Sequence, residues 1–293
     1  MNGKFTHMLL CTDGSDFSEG AIREGLKLAK EFRAKITAFS VIDFNPEFDA
    51  LAPDLLEKME EEAASHVRAV KERAEKDGIL CSAVVVRSEN PYLSIAEEAS
   101  KIKADLIVVG RRGKTGLKRL LMGSVTKRVI GHAPCNVLVV PRNATFACKN
   151  ILIATDGSKY SDHAAAEAVN LARGCGVGLV VMTAVHAESS SPLDIVSSQM
   201  HRDQIADREM KMAEENIRKV KELAENAQVK AETLILSGSA HEVIVQAAKE
   251  RDVDLIVMGS HGRTGFDRLL VGSVAERVIG NANCAVLVVK AAE

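Results

Sequence analysis

The chain writes one pattern twice, and that repeat bounds the fold more tightly than any single motif. Asp105–Val140 (DLIVVGRRGKTGLKRLLMGSVTKRVIGHAPCNVLVV) aligns without a gap on Asp254–Val289 (DLIVMGSHGRTGFDRLLVGSVAERVIGNANCAVLVV), with about 24 of 36 positions identical. The earlier parts agree as well: MLLCTDGSDFSEGA at Met8–Ala21 matches ILIATDGSKYSDHA at Ile151–Ala164. Self-similarity of this length means two copies of one folding unit. The offset between copies is about six residues smaller at the first match than at the second, so the second copy carries a small insertion, expected in the Ser-rich stretch Ala187–Ser198. Pro141–Thr145 reads as turn and linker, which divides the chain into residues 1–144 and 145–293. So short a linker favours packed domains.

Within each copy, apolar strand-length runs alternate with helical periodicity. In the first copy the expected strands are His7–Thr12, Lys35–Val41, Cys81–Val86, Leu106–Val109 and Val137–Val140. Between them lie helices. The first carries the stripe Ile22, Leu26, Ala29 and Phe32 and is capped by Ser15 or Asp16; the others are Leu55–Lys76, Ser94–Lys103 and Ser124–Gly131. Alternating strands and helices predict an α/β fold: two tandem domains, each a five-stranded parallel sheet with helices on both faces. The composition suits such sheets, being rich in Val, Ile, Leu and Ala and without Trp. Ligands of these folds bind beyond the carboxyl ends of the strands, where strand order reverses.

Two loops per copy stand at such strand ends. The first is Thr12-Asp13-Gly14-Ser15, repeated as Thr155-Asp156-Gly157-Ser158. An acidic residue leaving a strand can accept hydrogen bonds from ribose hydroxyls or hold a phosphate-bound metal. The same residues also serve as plain turn and cap residues, and one copy alone does not decide between the two. The second loop is Gly110, Gly113 and Gly123-Ser124, repeated as Gly259, Gly262 and Gly272-Ser273, with spacing G-x2-G-x9-G-S in both. Glycines without a Cβ let backbone approach a ligand. A Gly-Ser that opens a helix presents backbone N–H groups, the helix dipole and a hydroxyl to an anion such as phosphate.

This glycine spacing after the fourth strand, with an Asp after the first, resembles the universal stress protein family in its ATP-binding branch, over nearly the whole chain. The resemblance implies two Rossmann-like domains of the adenine nucleotide alpha hydrolase type. It implies that Asp13 and Asp156 approach ribose and phosphates, and that backbone at Val41 and Val185 meets adenine. Gly110, Gly113, Gly123, Ser124, Gly259, Gly262, Gly272 and Ser273 would then grip ribose and phosphate. The implied ligand is ATP or AMP; whether a metal binds stays open, with phosphate-bound Mg²⁺ at Asp13 and Asp156 one option. Family members pair through their last strands, so Val137–Val140 and Val286–Val289 are expected to pair inside one chain as an internal pseudo-dimer, with a homodimer of chains as a further option. One departure stands out: Glu89 replaces a loop glycine present as Gly238. A carboxylate pointing inward there would weaken the first site.

Other signals are discounted. Gly113-Lys114-Thr115 imitates a phosphate loop, but Val108 stands where its first glycine belongs. Gly174, Gly176 and Gly178 follow a helix and precede a strand, the reverse of a dinucleotide fingerprint. His241-Glu242 lacks a second His, since Val245 occupies that place. Arg111, Arg112, Lys114, His261 and Arg263 lie in the glycine loops and suit either phosphate or solvent. The charge runs Glu57–Glu62 and Arg208–Lys221 read as wet helix faces. The six cysteines form no C-x-x-C pair and read as buried structural thiols. A net charge of −2 argues against general nucleic-acid or membrane binding. Met1–Met8 has no signal-peptide core, so a soluble, cytoplasmic protein is expected. No catalytic set is legible. The expected function is a nucleotide-dependent regulator or sensor in stress response, the alternatives being a slow ATP-hydrolysing enzyme that retains AMP or ADP and an interaction scaffold with vestigial sites.

Overall fold

A computed structural model describes residues 5–46, 53–113, 122–185, 199–263 and 271–291. The Ser-rich insertion therefore lies outside the described residues, as does Lys114.

The first copy runs β1 (His7–Cys11), α1 (Glu19–Phe32), β2 (Lys35–Asp43), α2 (Pro53–Lys76), β3 (Cys81–Ser88), α3 (Pro91–Lys101), β4 (Leu106–Gly110), α4 (Ser124–His132) and β5 (Asn136–Val140). The second runs β6 (Ile151–Ala154), α5 (Lys159–Cys175), β7 (Leu179–Val185), α6 (Gln199–Asn226), β8 (Ala231–Ser237), α7 (Ala240–Glu250), β9 (Leu255–Gly259), α8 (Ser273–Asn281) and β10 (Ala285–Val289). All ten strands join one sheet in the order β3-β2-β1-β4-β5-β10-β9-β6-β7-β8. Every pairing is parallel except β5 with β10.

The period of two along each strand builds the core. Met8 and Leu10 face α1 and α2, while Leu9 and Cys11 face α3 and α4. In the second copy Ala285, Leu287 and Val289 join the layer under α5 and α6, and Val286 and Val288 the layer under α7 and α8. Each layer runs unbroken across both copies. The inner strands are covered on both faces, which is why they read as continuous apolar runs, while the edge strands β3 and β8 keep exposed residues.

The seam between copies is self-complementary. Leu138 and Leu287 occupy the same place in the repeat and pair with each other, flanked by Val139 with Val286 and Val137 with Val288. That is the geometry of a two-fold interface, realised inside one chain. Lys127 and Glu276 also occupy equivalent places, and they meet across the seam with Nζ to Oε2 at 2.7 Å. The copies have diverged to opposite charge where identical ones would repel. Two cations complete the seam. Arg111 donates to the carbonyls of Gly280 (3.2 Å) and Ala282 (2.7 Å) at the end of α8, and Lys290 donates to Ile130 (2.9 Å) and Gly131 (3.1 Å) in the last turn of α4. Burial and the neighbouring Arg112 lower the pKa of the Arg111 guanidinium.

Three local expectations are corrected. Helix α1 begins at Glu19 after Ser18, not at Ser15 or Asp16, because the Ser15 hydroxyl is engaged with Asp13 Oδ1 at 2.6 Å. Helix α3 begins at Pro91, a residue suited to the first helical position, rather than at Ser94. The cysteines divide: Cys11, Cys81 and Cys284 are buried thiols, but Cys148 and Cys175 form a disulfide.

Candidate functional site

The strand order places β1 between β2 and β4, so the chain reverses direction across the sheet at the carboxyl end of β1, with β6 in the same position in the second copy. The two loops singled out by sequence meet there. Asp13 Oδ1 accepts the Ser15 N–H at 3.0 Å, a turn that needs the positive φ (75°) of Gly14. Asp13 Oδ2 lies 2.8 Å from where a Cβ on Gly113 would sit. In the second copy Asp156 Oδ1 accepts the Ser158 N–H at 3.0 Å, and its Oδ2 lies 2.6 Å from a Cβ built on Gly262. Asp156 Oδ2 also accepts the backbone N–H of Arg263 at 2.9 Å. One N–H of this glycine loop, that of Arg263, therefore already bonds a carboxylate oxygen.

The glycines serve different ends. A Cβ on Gly110 would strike the Phe17 carbonyl oxygen at 2.8 Å, and one on Gly259 would strike Tyr160 at 2.8 Å, so these two are small for the protein's own backbone. A Cβ on Gly123 would stand 3.5 Å, and one on Gly272 3.2 Å, from the nearest atom of the described residues. These last two are the N-caps of α4 and α8 and bring no side chain to cap them; Ser158, in contrast, caps α5 through the Ser161 N–H. Among the described residues no N-cap side chain takes the first-turn N–H groups of α4 and α8, the groups that suit an anion. Ser124 and Ser273 are the exposed first residues of those helices. The loops stay tied to the sheet through Gly123 N–H to the Arg111 carbonyl (2.9 Å), Gly272 N–H to the Ser260 carbonyl (2.8 Å) and Thr126 Oγ1 to the Gly110 carbonyl (2.9 Å).

At the ends of β2 and β7, Val41 and Val185 are half-buried. Thr12 N–H bonds to the Phe39 carbonyl as Thr155 N–H bonds to the Met182 carbonyl, and this register makes Ala184 the counterpart of Val41. Ala184 and Val185 both line a cavity of about 20 Å³ beside Asp156, Thr183, Asn216 and Arg263. That is room for about one water. Glu89 is exposed; Cys81 and Ala231 take matching places in the sheet, so Ser88 answers to Gly238 and Glu89 is one residue extra.

Two neighbours escaped the sequence reading. The imidazole of His66 on α2 covers Gly14, and the carboxamide of Asn216 on α6 covers Gly157. Both precede a buried apolar residue at the same place in the repeat, Val67 and Ile217, which is the signal that could have found them. Of the loop cations, Arg111 turns to the seam, His261 packs on Tyr160 with ring centroids 5.2 Å apart, and Arg263 lines the cavity. Among the described residues no group of three His, Cys, Asp or Glu could hold a metal ion. A metal at Asp13 or Asp156 would need phosphate oxygens to complete its shell.

The profile of the universal stress protein family matches residues 4–141 and again 147–290. The chain belongs to the universal stress protein family. A universal stress protein of Methanocaldococcus jannaschii is 40% identical over 149 residues, covering 51% of this chain and 86% of that one. The crystal structure of a universal stress protein from Archaeoglobus fulgidus is 21% identical and superposes with a TM-score of 0.74, covering 99% of this chain and 100% of that one, which shows a shared tandem fold. As a universal stress protein with two family units, the chain supplies both halves of its paired sheet itself. Among the described residues no helix is long and apolar enough to cross a membrane.

Proposed function

We propose that this universal stress protein binds an adenine nucleotide, ATP or AMP, in each half and acts as a cytoplasmic nucleotide-dependent regulator. The two sites belong to residues 1–144 and 145–293. The observation that carries the reading is the meeting, in both copies, of a carboxylate (Asp13, Asp156) and a bare glycine (Gly113, Gly262) beside a helix that starts on a glycine N-cap (Gly123-Ser124, Gly272-Ser273). Backbone N–H groups and the dipoles of α4 and α8 would take the phosphates. The carboxylates would accept from ribose hydroxyls, and backbone at Val41 and at Ala184–Val185 would meet the base. Mg²⁺, when bound with the phosphates, neutralises their charge, and Asp13 and Asp156 are the side chains that would reach it. Binding in the second site exchanges the bond between Asp156 and the Arg263 N–H for bonds to ligand oxygens.

The test is calorimetric titration of nucleotide-free protein with ATP and with AMP, alongside thermal unfolding. Heat of binding and a raised unfolding temperature are expected. No heat and no shift with either nucleotide would remove the reading.

A further inference from the structure

The interdomain linker is anchored three ways. Glu24, fully buried on α1, accepts the Phe146 N–H at 2.9 Å. Asp254 accepts the N–H groups of Ala147 (3.1 Å) and Lys149 (2.9 Å). Between these anchors Cys148, with a positive φ of 50°, is bonded to Cys175, the last residue of α5, at a Cα–Cα distance of 6.1 Å. The first two anchors are hydrogen bonds to fixed carboxylates. The third is chemically reversible.

It is also accessible. Cys148 and Cys175 are each only half-buried, and both line an open groove of about 510 Å³ that runs between the end of α1, at Lys30 and Phe32, and the linker at Phe146. Sites for small molecules span about 300–1,000 Å³, so the groove admits a molecule of tripeptide size. The remaining thiols are different in kind. Burial pushes the pKa of the Cys11 and Cys81 thiols up, and that of Cys135 and Cys284 up to about 12, which keeps them protonated and inert.

We propose that the Cys148–Cys175 bond is a redox-exchange site, opened in the folded protein by small peptide thiols of the glutathione type that enter through this groove. The thiolate of the incoming thiol attacks Cys175 Sγ, the bond between the two cysteines breaks, and Cys148 Sγ leaves as a thiolate that takes up a proton. The order follows from α5: a thiolate on its last residue would sit at the negative end of the helix dipole, so Cys148 is the better leaving group. A second thiol attacks the mixed disulfide, releasing oxidised glutathione and the Cys175 thiol. Two thiols are oxidised and one protein disulfide is reduced. Opening the bond uncouples the end of α5 from the linker, while Glu24, Asp254 and the β5–β10 seam keep the two domains together.

The full-length protein is equilibrated across ratios of reduced to oxidised glutathione, quenched with an alkylating agent and mapped by peptide mass spectrometry. Cys148 and Cys175 are expected to become alkylated together as the ratio rises, with a glutathione adduct on Cys175 at intermediate ratios and no label on Cys11, Cys81 or Cys284. Hydrogen exchange should rise at residues 146–150 and the last turn of α5 and stay unchanged in β5 and β10, and a Cys148→Ser, Cys175→Ser variant should show the same exchange pattern without any thiol. A pair that stays closed at every ratio until the protein unfolds overturns the proposal. So does a pair found as thiols at every ratio, or labelling of all six cysteines at once.

Discussion

Asp13 stands against Gly113 so closely that its Oδ2 lies 2.8 Å from the place of a Cβ on that glycine. The relationship ties the loop after β1 to the loop after β4, and Asp156 with Gly262 repeats it at 2.6 Å. An alanine at Gly113 and Gly262 has to push the carboxylate aside. Gly113→Ala with Gly262→Ala is expected to weaken ATP binding by about tenfold, ~1.4 kcal/mol, in a calorimetric titration.

The glycines of one motif should separate by assay. Gly110→Ala drives a methyl group into the Phe17 carbonyl oxygen and should cost about 1–3 kcal/mol in denaturant unfolding. Among the described residues a methyl group at Gly123→Ala meets nothing nearer than 3.5 Å, so its cost should stay within about 1 kcal/mol while affinity for ATP falls. Equal losses of stability in the two variants would mean that Gly123 is small for folding alone.

Lys127 and Glu276 are equivalent residues of opposite charge across the seam. Both are more than a third exposed, so the pair contributes no more than about 1 kcal/mol. Lys127→Glu alone should lower the unfolding temperature slightly through like-charge contact, and adding Glu276→Lys should restore it. A double-mutant cycle with no coupling would show the pair to be incidental. Because a second copy of the same half would set Lys127 against Lys127, the charge choice favours pairing between unlike halves.

His7 is buried, with Nδ1 3.0 Å from the Ile102 carbonyl and Nε2 2.9 Å from Thr37 Oγ1. Burial first, and the Lys35 charge second, lower its pKa below the ordinary histidine value. Below about pH 6.5 the unfolded chain binds a proton at this residue that the folded chain resists, so stability falls as pH drops through that value and is full above it. Asn150 holds the equivalent place in the second copy and does not titrate. Unfolding temperature followed from pH 8 down to pH 5 should show a decline that His7→Gln reduces; an identical pH profile in the variant would place the sensitivity elsewhere.

The parts of this molecule written in local pattern were legible in its sequence. The continuous apolar runs at His7–Thr12 and Leu106–Val109 and the repeated glycine spacing were enough for the strands and the loop pairs, while the pairing of Val137–Val140 with Val286–Val289 was legible only through the family resemblance. Features that depend on three-dimensional neighbours were not. Ser15 is a good cap by type, yet Asp13 takes its hydroxyl. Cys148 and Cys175 stand 27 residues apart, one in a linker and one at a helix end, and only the packing of α5 against that linker brings them together. Gly110 and Gly113 look alike in the motif, although one makes room for Phe17 and the other for Asp13. His66 and Asn216 differ in type between copies, so the repeat hides their shared position.

The most direct test of the two-site account is the number of ATP molecules bound per chain by nucleotide-free protein at saturation, measured by equilibrium dialysis. Two per chain are expected, falling to none in a Gly123→Val, Gly272→Val variant whose circular dichroism matches the parent. A parent that binds no ATP, or a double variant that binds as well as the parent, would contradict it.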